Sequence, residues 1–267
     1  MKGIFILIMI MSLLSCKQDP AHQLVQENEI RLVKPRLKAT NKIVDSTVIL
    51  TAELKLDETK IYFTENGEEP TEGSLLYQSP IVISGASTYR FKAFHPSWKA
   101  SETAEIRFVQ KGYSVDSIIW LQPLNNQYAG QGTRTLVNHV KATNNYLNKE
   151  WLGFDAPAGL ICTFEKDTEI SSIDIGYLNH PGAWIFPPAK ISIDVSYDGI
   201  DFQKKSDETL PVTEKAIGPS MSTYHIDLNE KVLAVRLRFE NVQNIPEWHD
   251  GAGNGAWLFM DEIIFNK

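Results

Sequence analysis

A chain of 267 residues is long enough for one large domain or two smaller ones. With a formal charge of −7 it lacks the concentrated basic face that a phosphate backbone needs, which excludes nucleic acid as a partner. Aromatic residues make up 10% of it and include six tryptophans, flat faces of the kind that sugar rings and protein partners both use.

The chain opens on Lys2 and the apolar run Ile4 to Leu14, which is too short to span a bilayer and reads as a leader. The run closes on Leu13-Leu14-Ser15-Cys16, which resembles the bacterial lipoprotein box. The resemblance implies that residues 1–16 are a signal peptide and that Cys16 becomes a lipidated N-terminus. More than one acyl chain would then anchor the protein stably to a membrane of the bacterial cell envelope, with the outer membrane expected. Only Cys162 would remain free, so no intramolecular disulfide is expected. It lies in the apolar run Gly159 to Phe164 and reads as a buried small hydrophobe. Residues 17–34 are polar and without sustained period, a tether with a short helical piece around Leu24 to Val33.

Residues 35–110 read as strand throughout. Val48 to Ala52, Lys60 to Thr64, Ile81 to Ile83, Tyr89 to Phe94 and Glu105 to Phe108 are short β-rich runs at the spacing of a small sandwich. Asn66-Gly67 after the second run predicts a tight hairpin turn. The string Ile61 to Thr71, with Ser74 to Tyr77, Ser79-Pro80-Ile81 and Phe91 to Phe94, resembles the chitobiase/β-hexosaminidase C-terminal domain over about residues 36 to 109. It departs from the usual motif at Asn66, where that family has Asp. The resemblance implies an immunoglobulin-like accessory sandwich without catalytic residues. Trp98 is read as packing against the neighbouring domain, with a sugar contact as the alternative.

Gln110-Lys111-Gly112 marks the expected boundary, and residues 113–267 form the second domain. Lys190 to Tyr197 alternates, with Ile191, Ile193, Val195 and Tyr197 facing in, and Asp198-Gly199 closes a hairpin. Leu233 to Phe239 alternates likewise and puts Arg236 and Arg238 on the solvent face. Leu136 to His139, Trp151 to Phe154, Ile170 to Gly176, Asp198-Gly199 with Phe202, and Val235 to Leu237 resemble a discoidin-type domain. That fold is a galactose-binding-like jelly roll. His180 to Pro188 and Trp248 to Ile263 resemble the tails of bacterial family-twenty β-hexosaminidases, where these modules follow in this order. The expected fold is therefore all-β, two tandem β-sandwiches.

Catalysis is not expected. A family-twenty glycosidase needs a barrel of roughly two hundred and fifty residues, and no stretch is free to supply one. The adjacent Asp261-Glu262 would point to opposite faces of a strand, whereas glycosidase carboxylates flank one bond at roughly 5 to 9 Å. Gly251-x-Gly253-x-Gly255 precedes a strand, not a helix, and is no dinucleotide fingerprint. No cofactor is required. The discoidin-type resemblance does imply a structural calcium at Asn138 and Glu262, helped by the loop Ala142-Thr143-Asn144. On its residues alone Asn138 either ligates or caps a turn.

Two loops rich in Trp, His, Gly and Asn are expected to meet at one end of the second sandwich. They carry Trp184, Trp248, His249 and Asn254, with His180 and Arg134 as outliers and Trp257 as core. An aromatic face stacks on a pyranose, and His and Asn bond its hydroxyls. The expected function is a lipid-anchored, non-catalytic binder of glycans carrying GlcNAc- or Gal-type sugars. The alternatives are a docking accessory for a separate glycosidase or glycan-uptake complex, and a chain grouped with the β-hexosaminidases by its tail alone.

Overall fold

The computed structural model describes residues 30–211 and 218–267. Cys16, the leader and most of the tether lie outside the described residues. Eight strands precede residue 111: β1 (Arg36–Ala39), β2 (Ile43–Val44), β3 (Val48–Glu53), β4 (Lys60–Thr64), β5 (Leu75–Leu76), β6 (Ile81–Ile83), β7 (Ser87–Phe94) and β8 (Ala104–Gln110). They make two sheets, β1-β3-β6 and β2-β8-β7-β4-β5. Leu50 and Ile83 from one and Phe63, Phe91 and Phe108 from the other share one core, which makes a sandwich of them.

Three local expectations change here. Gly67 takes a left-handed φ of 76°, but β4 next pairs at Leu75-Leu76, so Asn66-Gly67 opens a longer excursion and not a tight hairpin. Trp98 stacks on His95 of its own sandwich at 4.6 Å. The last residues assigned to the tether are extended, not helical. Arg31 bridges Lys99, and Leu32 donates its N–H to the Lys99 carbonyl and is buried. An apolar residue with a backbone partner in reach outweighs weak helical propensity.

The remaining strands are β9 (Ser117–Trp120), β10 (Leu152–Phe154), β11 (Ala158–Asn179), β12 (Lys190–Ser196), β13 (Gln203–Thr209), β14 (Ser220–Glu240) and β15 (Leu258–Phe265). Hydrogen bonds connect all seven, in the order β10-β15-β11-β14-β12-β13, with β9 on β11. The β11–β14 ladder shifts register between Thr163 and Thr168 and again between Ile170 and Ser172. Such irregularities bend strands. The first half of β11 pairs with β9, and the second half pairs with β15. Side chains from both halves meet in one core, Leu160 and Cys162 with Ile173 and Ile175, joined by Ile193, Leu237 and Met260. One bent ladder thus supplies both layers of the second sandwich. Cys162 is buried and free, and burial pushes its thiol up to about 12.

Strand β12 departs from simple alternation. Ile191, Ile193 and Val195 are buried, but Ser192, Asp194 and Ser196 are buried too, and Tyr197 is 42% exposed. Its outer face is covered by its own polar partners. Arg236 Nε and an Arg238 guanidinium nitrogen donate to one Asp194 oxygen at 2.8 and 2.9 Å, and Arg236 lies 4.4 Å over the Phe202 ring. The two arginines expected to be merely solvated therefore clamp a buried carboxylate. Removing that carboxylate as Asp194→Ala should cost about 1.5–3 kcal/mol in urea unfolding, since charge-assisted bonds to partly exposed arginines are lost. Arg238→Ala should cost under about 1 kcal/mol.

Candidate functional site

The loop after β11 is short and tightly closed. Pro181 starts a single 3-10 turn (Pro181–Ala183), His180 and Ile185 exchange backbone hydrogen bonds, and Trp184 N–H donates to Pro181 O at 2.7 Å. This closure forces Trp184 to a left-handed φ of 62°. A bulky residue adopts that conformation only when its surroundings over-determine it. The loop before β15 folds on itself through Ile245 N–H to Asn254 O, Gly253 N–H to Ile245 O and Ala256 N–H to Val242 O. The two loops are sewn together by Trp257 N–H to Trp184 O and Phe186 N–H to Trp257 O, both at 2.9 Å.

His249 stands between them with both ring nitrogens occupied: Nε2 donates to Pro181 O at 2.8 Å and Nδ1 accepts from Gly251 N–H at 2.9 Å. Its ring is edge-on to Trp184, Phe186 and Trp248 at 5.6–5.7 Å. It was expected to bond a ligand hydroxyl, but this geometry makes it the staple between the loops. Trp248 leans on a small apolar cluster of Phe186, Val242, Ile245 and Ala256 and is half-buried. Trp184 is 40% exposed. Gly251 lies against its ring so closely that a Cβ there would fall 2.8 Å from Cη2, which closes one side and leaves the rest of the indole accessible. Asn254 is exposed, and its side-chain N–H bonds Gly251 O.

His180 lies beside this group, its Nδ1 buried and without a partner, as is Asn179 Oδ1. Arg134 is not part of the group, because its guanidinium donates to the carbonyls of Val115 and Asp116. Sequence reasoning missed a neighbouring aromatic shelf. Tyr146 stands edge-on to His180 at 5.9 Å and to Phe259 at 5.6 Å, and Tyr128 stands edge-on to Trp257 at 5.0 Å. The signal was there in Asn144-Asn145-Tyr146, an aromatic inside a turn-forming run. Trp257, assigned to the core, is only half-buried and belongs to this shelf. What the loops offer is an accessible indole on a rigid base, next to a loop that packs against the tyrosines through His180. Such a surface can hold a small hydroxylated ring by contact.

The positions implied for calcium lie elsewhere, at the seam between the sandwiches. A bulge in β15 sets Asp261 and Glu262 together opposite Gly176, between the pairs Tyr177–Met260 and Ile175–Ile263. Both carboxylates are therefore buried against the same loop, not turned to opposite faces as simple alternation predicts. A Cβ at Gly176 would fall on Asp261 Oδ1. His139 N–H donates to Glu262 Oε1 at 2.9 Å, and Lys141 Nζ to Asp261 Oδ1 at 2.7 Å. Burial and the neighbouring Asp261 push the Glu262 carboxyl up to about 8. Asn138 Oδ1 accepts from Val140 N–H, which is the turn-capping alternative. A cleft of about 520 Å³ opens along this seam, lined by Lys42, Arg107, Lys141, Asp174 and Glu262 among others.

Residues 40–105 match the family model of the chitobiase/beta-hexosaminidase C-terminal domain. No curated protein matches the chain. Among solved structures, a Clostridium perfringens module (CpGH89CBM32-5) in complex with GalNAc-beta-1,3-galactose is similar at 17% identity. It covers 55% of this chain and 91% of its own, with a TM-score of 0.36. The family 32 carbohydrate-binding module of C. perfringens NanJ in complex with galactose is similar at 12% identity, covering 55% and 90%, TM-score 0.35. The C-terminal domain of a Bacteroides fragilis chitobiase is similar at 13% identity, covering 57% and 93%, TM-score 0.35. At such distance, function has to be argued from the site.

The packing separates the two tryptophans of the loops. Trp248→Ala, which empties a half-buried contact with the Phe186 cluster, should cost about 2–3 kcal/mol in urea unfolding. Trp184→Ala should cost under about 1.5 kcal/mol. Equal costs would mean that both rings are structural.

Proposed function

We propose that the chain is a non-catalytic glycan-binding protein of a bacterial cell envelope, anchored through a lipidated Cys16. Domain limits at 35–110 and 113–267 belong to the same reading. The observation that carries it is the accessible Trp184, held in a left-handed conformation by two loops stapled through His249, with Tyr146 packed on His180 of the same loop. A strained, exposed aromatic on a rigid platform is what preorganised recognition requires. The ligand in this reading is a sugar of GlcNAc or galactose type, bound weakly at the exposed indole. The two adjacent carboxylates are buried and bonded to the protein itself, so they are not placed to flank a glycosidic bond.

A soluble form spanning residues 21–267, screened on a glycan array, should bind termini of this kind. Trp184→Ala and Tyr146→Ala should each weaken the best hit at least about tenfold, the equivalent of losing one ring contact. Arg134→Ala should leave it unchanged. A blank array from folded protein would sink the reading and favour docking to a separate glycosidase or uptake complex.

A further inference from the structure

The loop Asn138 to Thr143 wraps the Asp261-Glu262 bulge, where a calcium ion is implied by the resemblance of this half to discoidin-type domains. Calcium needs about six to eight oxygen ligands at roughly 2.3–2.6 Å, aimed inward from flexible loops. Here the polarity of the loop is the reverse. Asp261 Oδ2 accepts from Ala142 N–H at 3.1 Å and Oδ1 from the Lys141 ammonium at 2.7 Å. Glu262 Oε1 accepts from His139 N–H, and Asn138 Oδ1 from Val140 N–H.

Three of the six carbonyls of the same loop, which would be natural supplementary ligands, are also engaged. Thr143 O takes the Trp151 indole N–H at 2.9 Å. His139 O takes Asn41 Nδ2 at 2.7 Å, and Ala142 O takes Lys42 Nζ at 3.2 Å. These last two donors come from the first sandwich. Asn41 is itself fixed, since its Oδ1 accepts from the N–H groups of Lys42 and Ile43. Of the buried side-chain oxygens around the bulge, Glu262 Oε2 is the one without a partner among the described residues, and one side-chain oxygen is no cage. Among the described residues no group of three His, Cys, Asp or Glu is placed to hold a metal. A divalent ion here would also face two ammonium groups.

We infer that Lys141, with Asn41 and Lys42 of the first sandwich, takes the place of a metal ion at this loop. The loop is closed by an internal ammonium and by the neighbouring sandwich, and its fold is independent of calcium. The first sandwich then has a positioning role, because the loop it clamps runs on to Tyr146 and the aromatic shelf. Lys141 is well shielded and its partner Asp261 is fully buried, so the pair is not a solvated surface contact.

The test is thermal unfolding of the full mature chain, with 5 mM calcium (roughly the weakest extracellular sites' range) or with EDTA. Both conditions should give the same Tm within about 1 °C, and Lys141→Met should lower it by about 5 °C or more, because an unpaired buried carboxylate remains. A rise in the wild-type Tm with calcium, or a fall with EDTA, would overturn the inference. Should Lys141→Met not fold, the paired variant Asn41→Ala/Lys42→Met decides. It should speed amide exchange across residues 138–148 while leaving the interior of β11 protected, and unchanged exchange would overturn the clamp. Neither readout depends on any sugar being bound.

Discussion

The second half of the molecule depends on one ladder. Strand β11 of 22 residues and β14 of 21 pair along nearly their whole length, and the register breaks twice near the middle. A straight ladder of that length would be a ribbon with no interior. Bent at its irregularities, it places Leu160 and Cys162 in the same core as Ile173 and Ile175 and becomes two layers. That single bend also decides where the loops lie, because β11 ends at Asn179 and releases the chain directly into the Trp184 turn.

A second constraint is the need to neutralise acids that the fold buries. Asp194 on one face is held by Arg236 and Arg238, and Asp261 on another by Lys141 and a backbone N–H. Isolated charges in such places would be prohibitive, so each carboxylate draws a cation and fixes the strand or loop that carries it. At the seam the backbone is equally constrained. Tyr113 N–H donates to Phe265 O, and a Cβ at Gly112 would overlap that carbonyl, so only glycine allows the approach. The two sandwiches are joined there by the Asn41 and Lys42 side chains, which donate to carbonyls of the second sandwich.

The loop end is organised differently, by hydrogen bonds among neighbours and not by charge. His249 links Pro181 to Gly251, and the strained Trp184 is the outcome of the backbone bonds that close residues 180–185. Rigidity of this sort turns a tryptophan that composition alone would assign to the interior into a presented surface. The half-buried Trp248, which looks equivalent in the sequence, serves instead as packing under the platform.

Period-two alternation, the turn residues and the two motif strings are local properties, so the sequence alone determined the all-β class, the strand runs and the two loops that meet. Cys162 as core and Asp198-Gly199 as a hairpin follow in the same way, the latter with Gly199 at a φ of 78°. What only the tertiary structure decided are the partners. The bulge at Asp261-Glu262, the lysine that meets it from Lys141, the Asn41 and Lys42 donors and the Tyr146 shelf all join residues about a hundred positions apart. Alternation tells which face a side chain takes, but a one-residue bulge reverses that assignment, and bulges are set by what the opposite strand and loops can accommodate.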